Sequence, residues 1–150
     1  MKKTVQFRVY LSKRQKKLLD LQLECHKELY NAVLKDATES YKKDKTSLGE
    51  FTLIKKWVNY YRQNDVRFVG CNYSSLQQTV RRFGKARSKF LKHLSQKKKG
   101  ISSEKVGEPR FKHRFNSIEY CFGDGMSLKN GKIRVQGLGF LKLKLHTEIP

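Results

Sequence analysis

The chain has 150 residues, enough for one domain or two small intertwined ones. Its 34 Lys and Arg outnumber 13 Asp and Glu, leaving a formal net charge of +21, and a hydrophobic share of 37% allows only a thin core. Such an excess repels itself until a polyanion supplies counter-charge, so nucleic acid is the expected partner. No small-molecule substrate is expected, and no membrane, because the cations are spread over many segments instead of forming one anchor.

Met1-Lys2-Lys3 leads into mixed polar and apolar residues rather than an apolar run, so no signal peptide is read, and no segment is apolar for long enough to span a bilayer. Cys25, Cys71 and Cys121 are far apart, odd in number and without a Cys-x-x-Cys pair, which argues for reduced thiols over a zinc knuckle or disulfide framework. The expectation is a cytoplasmic protein, associated with the nucleoid when bound to DNA.

Thr4–Leu11 alternates, with Val5, Phe7, Val9 and Leu11 on one face, and reads as a half-buried strand. Ser12 and Gln15 fit a capping box. The helix they open runs to about Tyr41, with a stripe of Leu18, Cys25, Leu29, Ala32, Val33 and Ala37 that Gln22 interrupts. Asp44–Glu50 reads as a loop. Thr52 is placed to cap a short helix through Gln63 that packs through Leu53, Ile54, Trp57, Val58 and Tyr61. Asn64–Asn72 reads as irregular. Ser74 and Gln77 suggest a second capping box, opening a helix whose apolar stripe is Leu76, Val80, Phe83, Phe90 and Leu94, with Arg87 as an intruder.

The rest of that helix is basic: Arg81, Arg82, Lys85, Lys89 and Lys92. Lys97-Lys98-Lys99 and the residues to Ser103 read as a linker. After Pro109 the period changes. Ile118–Phe122 and Met126–Leu128 predict short strands, and Asn130-Gly131 ahead of Ile133 and Val135 is a hairpin signal. Leu141, Leu143 and Leu145 alternate with Lys142, Lys144 and His146, which predicts a strand with one apolar and one basic face. The first strand has no neighbour of its own, yet its backbone groups must pair. Pairing with the C-terminal strands makes the helices an insertion into a small β-barrel of the α+β class.

Candidate nucleic-acid contacts are the basic helix face, Lys97, Lys98 and Lys99, and the cluster Arg110, Phe111, Lys112 and Arg114. The helix face is either a solvated surface or a phosphate-binding one, and the adjoining lysine run favours binding. Guanidinium forks suit phosphate. Phe111, set among cations, can stack on a base or plug the barrel, and core packing is the favoured role. Asp20, Glu24 and Glu28 lie four apart along one helix, a stripe that predicts ion pairs with the other helices rather than a magnesium site. His26, His93, His113 and His146 lack metal-ligand spacing. No nucleophile–base arrangement and no phosphate-cradling loop is found, so no cofactor, metal or catalytic residue is assigned.

Several segments, in order, carry a resemblance. They are Val5-Gln6-Phe7-Arg8-Val9-Tyr10-Leu11, Tyr30-Asn31, Tyr73-Ser74-Ser75-Leu76-Gln77-Gln78, Gly107-Glu108-Pro109-Arg110-Phe111-Lys112, Leu128-Lys129-Asn130-Gly131-Lys132-Ile133-Arg134-Val135 and Gly137-Leu138-Gly139-Phe140-Leu141-Lys142. Together they resemble the N-terminal portion of TnpB, the OrfB-type transposon-encoded RNA-guided nuclease family related to type V CRISPR effectors. Glu108 departs from the apolar or aromatic residue common there.

The resemblance implies a wedge-type β-barrel whose first strand is residues 3–11. A helical recognition lobe would span residues 12–100, its start often described as a helix-turn-helix, and the remaining strands residues 105–150. It implies a grip on a transposon-derived guide RNA and on double-stranded target DNA. The family continues into a RuvC-like nuclease fold with a carboxylate triad and a zinc ribbon; neither is present in these residues, so binding without cleavage is expected. The alternative is a stand-alone helix-turn-helix DNA-binding transposon regulator using Ser12–Tyr61. Against it, Lys35–Thr52 is long for the turn between two such helices.

Overall fold

Helical periodicity in the first two thirds and strand alternation in the last third build two adjoining layers. The structure, a computed structural model, describes residue 2, residues 4–100 and residues 107–144. In chain order the elements are β1 (Arg8–Tyr10), α1 (Lys13–Asp44), and α2 (Glu50–Leu53), which continues through a π-helical turn (Ile54–Val58) into α3 (Asn59–Asn64). A 3-10 turn (Val66–Gly70) and α4 (Tyr73–Lys98) follow, then β2 (Cys121–Phe122), β3 (Gly125–Lys129), β4 (Lys132–Val135) and β5 (Gly139–Lys144). The class is α+β, as expected.

The helix boundaries show local rules and tertiary overrides side by side. Ser12 caps α1 with the full reciprocal box: Gln15 N–H donates to Ser12 Oγ at 3.1 Å and Ser12 N–H to Gln15 Oε1 at 3.0 Å. α1 passes Tyr41 and ends where Lys45 turns left-handed at φ 57°, its N–H bonded to the Tyr41 carbonyl. The connection to α2 is therefore residues 45–49, shorter than the Lys35–Thr52 stretch suggests. α2 starts after Gly49, not at Thr52, and no side chain caps it.

α4 starts after Asn72, not Ser74. The Asn72 side chain accepts from Ser75 N–H at 2.9 Å, while the Ser74 hydroxyl is taken by the Asp124 carboxylate. The expected irregular stretch contains the 3-10 turn, capped by Asp65 through Arg67 N–H. Lys97 and Lys98, read as linker, form the last turn of α4; Ile101–Ser103 lie outside the described residues.

The main core lies between α1, the α2–α3 segment and α4. Cys25, Leu29, Val33, Leu53, Val58, Phe68, Leu76, Val80 and Phe83 are buried in it. Tyr30 meets Phe83 edge-on at 5.8 Å, and Tyr61 stacks on Phe68 at 4.6 Å. The α4 stripe is covered only as far as Phe83: Leu94 is exposed, and Phe90 and Leu94 line a groove of about 330 Å³ with Leu34 and Pro109. Trp57 is held from below by Asp36, which accepts from its indole N–H and from Lys56, each at 2.8 Å.

The N-terminal strand pairs with the C-terminal strands, as its orphan backbone required. β1 runs antiparallel to β5 with Val9 opposite Leu143. The ladder covers Arg8–Tyr10 rather than Thr4–Leu11, and Val5, Val9 and Leu11 remain exposed, so the expected half-buried face is only thinly covered. Sheet order is β1-β5-β4-β3-β2. Asn130 and Gly131 turn with φ 51° and 72°, the double positive φ that closes a two-residue hairpin between β3 and β4.

The expected closed barrel is not formed: among the described residues the sheet is open, with β1 and β2 at its edges. β2 keeps two of the five residues read in Ile118–Phe122, and strands this short do not supply the tilt and stagger that closure needs. Instead α1 covers the inner face, where Leu18 and Leu19 pack against Val135, Leu138 and Leu141. β5 has Leu141 and Leu143 buried and Lys142 and Lys144 exposed, as its alternation predicts; Leu145 and His146 lie outside the described residues.

Gly137 and Gly139 have nearly equal φ, 84° and 85°, in different surroundings. A Cβ on Gly137 would stand 2.5 Å from the Gly70 carbonyl oxygen, whereas one on Gly139 meets nothing within 4 Å. Gly139→Ala is expected to cost only backbone strain, about 1 kcal/mol. Gly137→Ala should cost distinctly more, because a backbone carbonyl must move. Equal melting temperatures for the two variants would refute the close approach.

Buried His26 shares a 2.5 Å hydrogen bond with Thr79 Oγ1, and desolvation, aided by the Arg82 charge, depresses its pKa from 6.5 to about 4. The unfolded chain therefore binds a proton between those values while the folded chain does not. Stability should be full above pH 6.5 and fall by about 2 kcal/mol by pH 5. The lowered carboxylates Asp65 and Asp124 titrate below 3.8 and leave this window clear. Urea unfolding of wild type and His26→Gln at pH 7 and pH 5 checks this; the variant should lose most of the dependence.

Candidate nucleic-acid interface

Opposite its buried stripe, α4 carries Arg81, Lys85, Lys89 and Lys92, which helical spacing places along one face. Arg81 makes only a long 3.9 Å contact to Glu50, an exposed pair of small energetic worth. Lys85, Lys89 and Lys92 are exposed and have no ion-pair or hydrogen-bond partner among the described residues. Lys99, seven residues beyond Lys92, caps the helix on the same side; Lys97 and Lys98 are rotated away from it.

Arg82 is not part of that stripe. It faces an extended strap, residues 107–117, that follows the α1–α4 seam. Its guanidinium lies 5.2 Å from the Phe115 ring centroid, reaches the Ser117 carbonyl at 3.5 Å and stands 3.8 Å from Glu119. The side chain thus fastens the strap to α4 and has limited freedom left for phosphate.

The strap carries Arg110, Phe111, Lys112 and Arg114, all exposed. The favoured core role for Phe111 is corrected: its side chain is 56% exposed, and Phe115 is the ring that enters the core, against Tyr30 at 5.6 Å. A bend at His113 breaks the strict alternation that would put both rings on one side. Asn31 on α1 fixes the strap's position. Its Oδ1 accepts from Lys112 N–H at 2.8 Å and its Nδ2 donates to the Lys112 carbonyl at 2.9 Å. The Lys112 ammonium rests over the Tyr30 ring at 5.6 Å. Arg110 and Arg114 have no such anchor among the described residues.

The structure therefore gathers Arg81, Lys85, Lys89, Lys92 and Lys99 into one basic strip along α4 and Arg110, Lys112 and Arg114 into another along the strap, with Arg82 tying the second to the first, while Lys97 and Lys98 stay outside both. Asn31 and Phe115 were not singled out as organisers of this surface. Phe115, four residues beyond Phe111, had the same aromatic signal, and only packing distinguished them.

Several acidic side chains form ion pairs within the fold. Glu28 pairs with Arg67 at 2.5 Å and Asp65 pairs with the same guanidinium at 2.7 Å, while Glu24 pairs with Lys27 on its own helix. Among the described residues the expected cross-element ion pairing thus holds for Glu28 and not for Glu24 or Asp20. Among the described residues no group of three or more His, Cys, Asp or Glu is arranged to hold a metal ion, and no helix is long and apolar enough to cross a membrane. Cys25 and Cys71 are buried free thiols in contact; the hydrogen bond between them lowers the pKa of Cys25 and raises that of Cys71.

Residues 1–46 match the family model of a helix-turn-helix domain, that of OrfB/TnpB-type IS605 transposon proteins. In this chain those residues form β1, the single long helix α1 and its cap. No curated protein matches the chain.

The Asn31 clamp is testable. Asn31→Ala removes both strap hydrogen bonds at Lys112, for a loss of about 1–2 kcal/mol. Faster amide exchange at Lys112, with α4 amides unaffected, is the expected reading. Unchanged exchange at Lys112 would show that the strap is held without Asn31.

Proposed function

We propose that this chain is the nucleic-acid-binding portion of a TnpB-like, transposon-associated RNA-guided DNA endonuclease, gripping a transposon-derived guide RNA and double-stranded target DNA. The observation that carries this reading is the match of residues 1–46 to the OrfB-type helix-turn-helix domain, which indicates a DNA-binding, transposon-related protein. The open sheet with its inserted helices corresponds in this reading to the wedge and recognition lobe. The unpaired cations of α4 and the strap are the phosphate contacts.

Recognition of this kind rests on backbone and shape, with sequence left to base pairing. Asn31 and Arg82 position the strap so that Arg110 and Arg114 extend the basic surface. In this reading the chain binds, in the cytoplasm, without cutting: Glu24 and Glu28 are already engaged by Lys27 and Arg67.

A stand-alone DNA-binding regulator is the second reading. It is favoured by the short connection at residues 45–49, which brings α1 and α2 nearer to a helix–turn–helix spacing. A regulator should bind duplex DNA and ignore structured RNA, whereas the first reading requires both.

The test is a salt titration of binding to duplex DNA and to a structured RNA, by fluorescence anisotropy. Each phosphate contact contributes a log–log slope of about −0.9 on B-DNA. Lys85→Glu/Lys89→Glu/Lys92→Glu should therefore bind far more weakly, with a slope shallower by about 2 to 3. Its melting temperature should change little, since these side chains hold nothing in place. A triple variant with the wild-type slope would remove the α4 face from the interface.

A further inference from the structure

The sheet has a second basic surface that lies apart from α4 and the strap. We propose that its outer face is a binding platform for a single-stranded nucleic acid, with Tyr10 and Phe140 as stacking rings and the surrounding cations as phosphate contacts.

The register builds this face. Leu141 and Leu143 of β5 point inward, so Phe140, Lys142 and Lys144 point outward and are exposed. Across the β1 ladder, Tyr10 stands opposite Lys142 and Arg8 opposite Lys144. On the other side of β5, Phe140 stands opposite Arg134 and Lys142 opposite Lys132. Lys132 in turn faces Lys129 of β3. Cross-strand partners share a face, so the cations and both rings form one continuous surface.

Two physical features point to a ligand. The strands β1, β3, β4 and β5 contain no Asp or Glu, so no carboxylate in the sheet neutralises this face. Like charges sit directly opposite one another at Arg8 and Lys144, at Lys142 and Lys132, and at Lys129 and Lys132, an arrangement that weakens a sheet. A polyanion reverses that cost. Second, Tyr10 and Phe140 are 50% and 51% exposed on the side away from the core. They are diagonal neighbours on adjacent strands, within reach of one bound strand. Phe140 is also held in place: Gln15, at the start of α1, donates to its carbonyl at 2.8 Å.

The combination selects unpaired bases. A duplex offers phosphates, but its bases are already stacked on one another and cannot cover the rings. A single strand offers both a charged backbone and free base faces, the pairing that basic, aromatic sheet surfaces exploit. DNA and RNA strands share this chemistry.

The experiment uses the full chain with three labelled probes of equal length: oligo(dT), oligo(U) and a blunt DNA duplex. Tyr10→Ala/Phe140→Ala should weaken single-strand binding by about tenfold or more while duplex affinity stays within about twofold. The larger loss on oligo(dT) or on oligo(U) identifies the strand as DNA or RNA. Tyr10→Phe/Phe140→Tyr should restore binding. The Lys85→Glu/Lys89→Glu/Lys92→Glu variant should lose more affinity for the duplex than for either single strand, the reverse of the alanine pair, which separates this site from the α4 face.

Phe140→Trp, in an otherwise intact chain, should show tryptophan quenching by oligo(dT) or oligo(U) and not by the duplex. This arm keeps the test valid should the alanine pair disturb the sheet. Unaltered single-strand affinity in a folded alanine pair, an equal loss for strand and duplex, or no single-strand quenching in the Phe140→Trp variant would each overturn the platform.

Discussion

Two buried amide side chains join the helices to the sheet, and the remaining architecture depends on them. Gln22 of α1 donates to the carbonyls of Gln136, at 3.2 Å, and Gly70, at 3.5 Å, and accepts from the Tyr120 hydroxyl at 2.5 Å. Asn72, at the start of α4, accepts from Ser75 N–H and donates to Gln136 Oε1 at 2.8 Å and Asp124 Oδ1 at 3.2 Å. Each amide is seated against a sheet glycine. A Cβ on Gly137 would intrude on Gln22, and one on Gly125 would stand 2.7 Å from the Asn72 amide nitrogen. Leaving one such buried group unpaired costs about 1–3 kcal/mol, a large fraction of what a thin core provides.

That constraint explains how an open sheet is tolerated. The sheet's own cluster is small, centred on Val135, Leu138 and Leu141, and it is completed by Leu18 and Leu19 from α1. A polar tether of fixed geometry holds α1 at the one position where these residues meet. It also fixes the start of α4, because Asn72 serves both as its cap and as an anchor to the turn before β3 and the turn after β4. The α4 cations and the outward face of the sheet are therefore held on one framework rather than on independent parts.

Charge is distributed unequally over that framework. Glu28 and Asp65 converge on Arg67, Asp36 holds Lys56 and Trp57, and Asp124 receives Ser74 and Asn72. Most of these acids link separate elements, and among the described residues Lys85, Lys89 and Lys92 of α4, Arg110 and Arg114 of the strap and the cations of the sheet's outer face have no acidic partner. The same economy accounts for the absence of a convergent acidic cluster among the described residues and for surfaces that gain stability when phosphate is bound.

Much of the local structure was legible in the sequence. The Ser12–Gln15 box, the Asn130-Gly131 turn and the alternation of β5 are set by short-range sterics and hydrogen bonds, and each took its expected form. The need of Thr4–Leu11 for a distant partner followed from backbone hydrogen bonding alone. What failed depended on long-range partners. Gln22 read as a break in an apolar stripe because its acceptors lie 48 and 114 residues away. Ser74 lost the cap of α4 to Asn72 because Asp124 claimed its hydroxyl. Phe111 and Phe115 carried equal aromatic signals, and only the packing of Phe115 against Tyr30 in the core chose between them. The basic character of the chain was fixed by composition. Which cations face one another across the sheet, and which rings stand among them, was decided by strand register, a property of the folded pairing that no single segment contains.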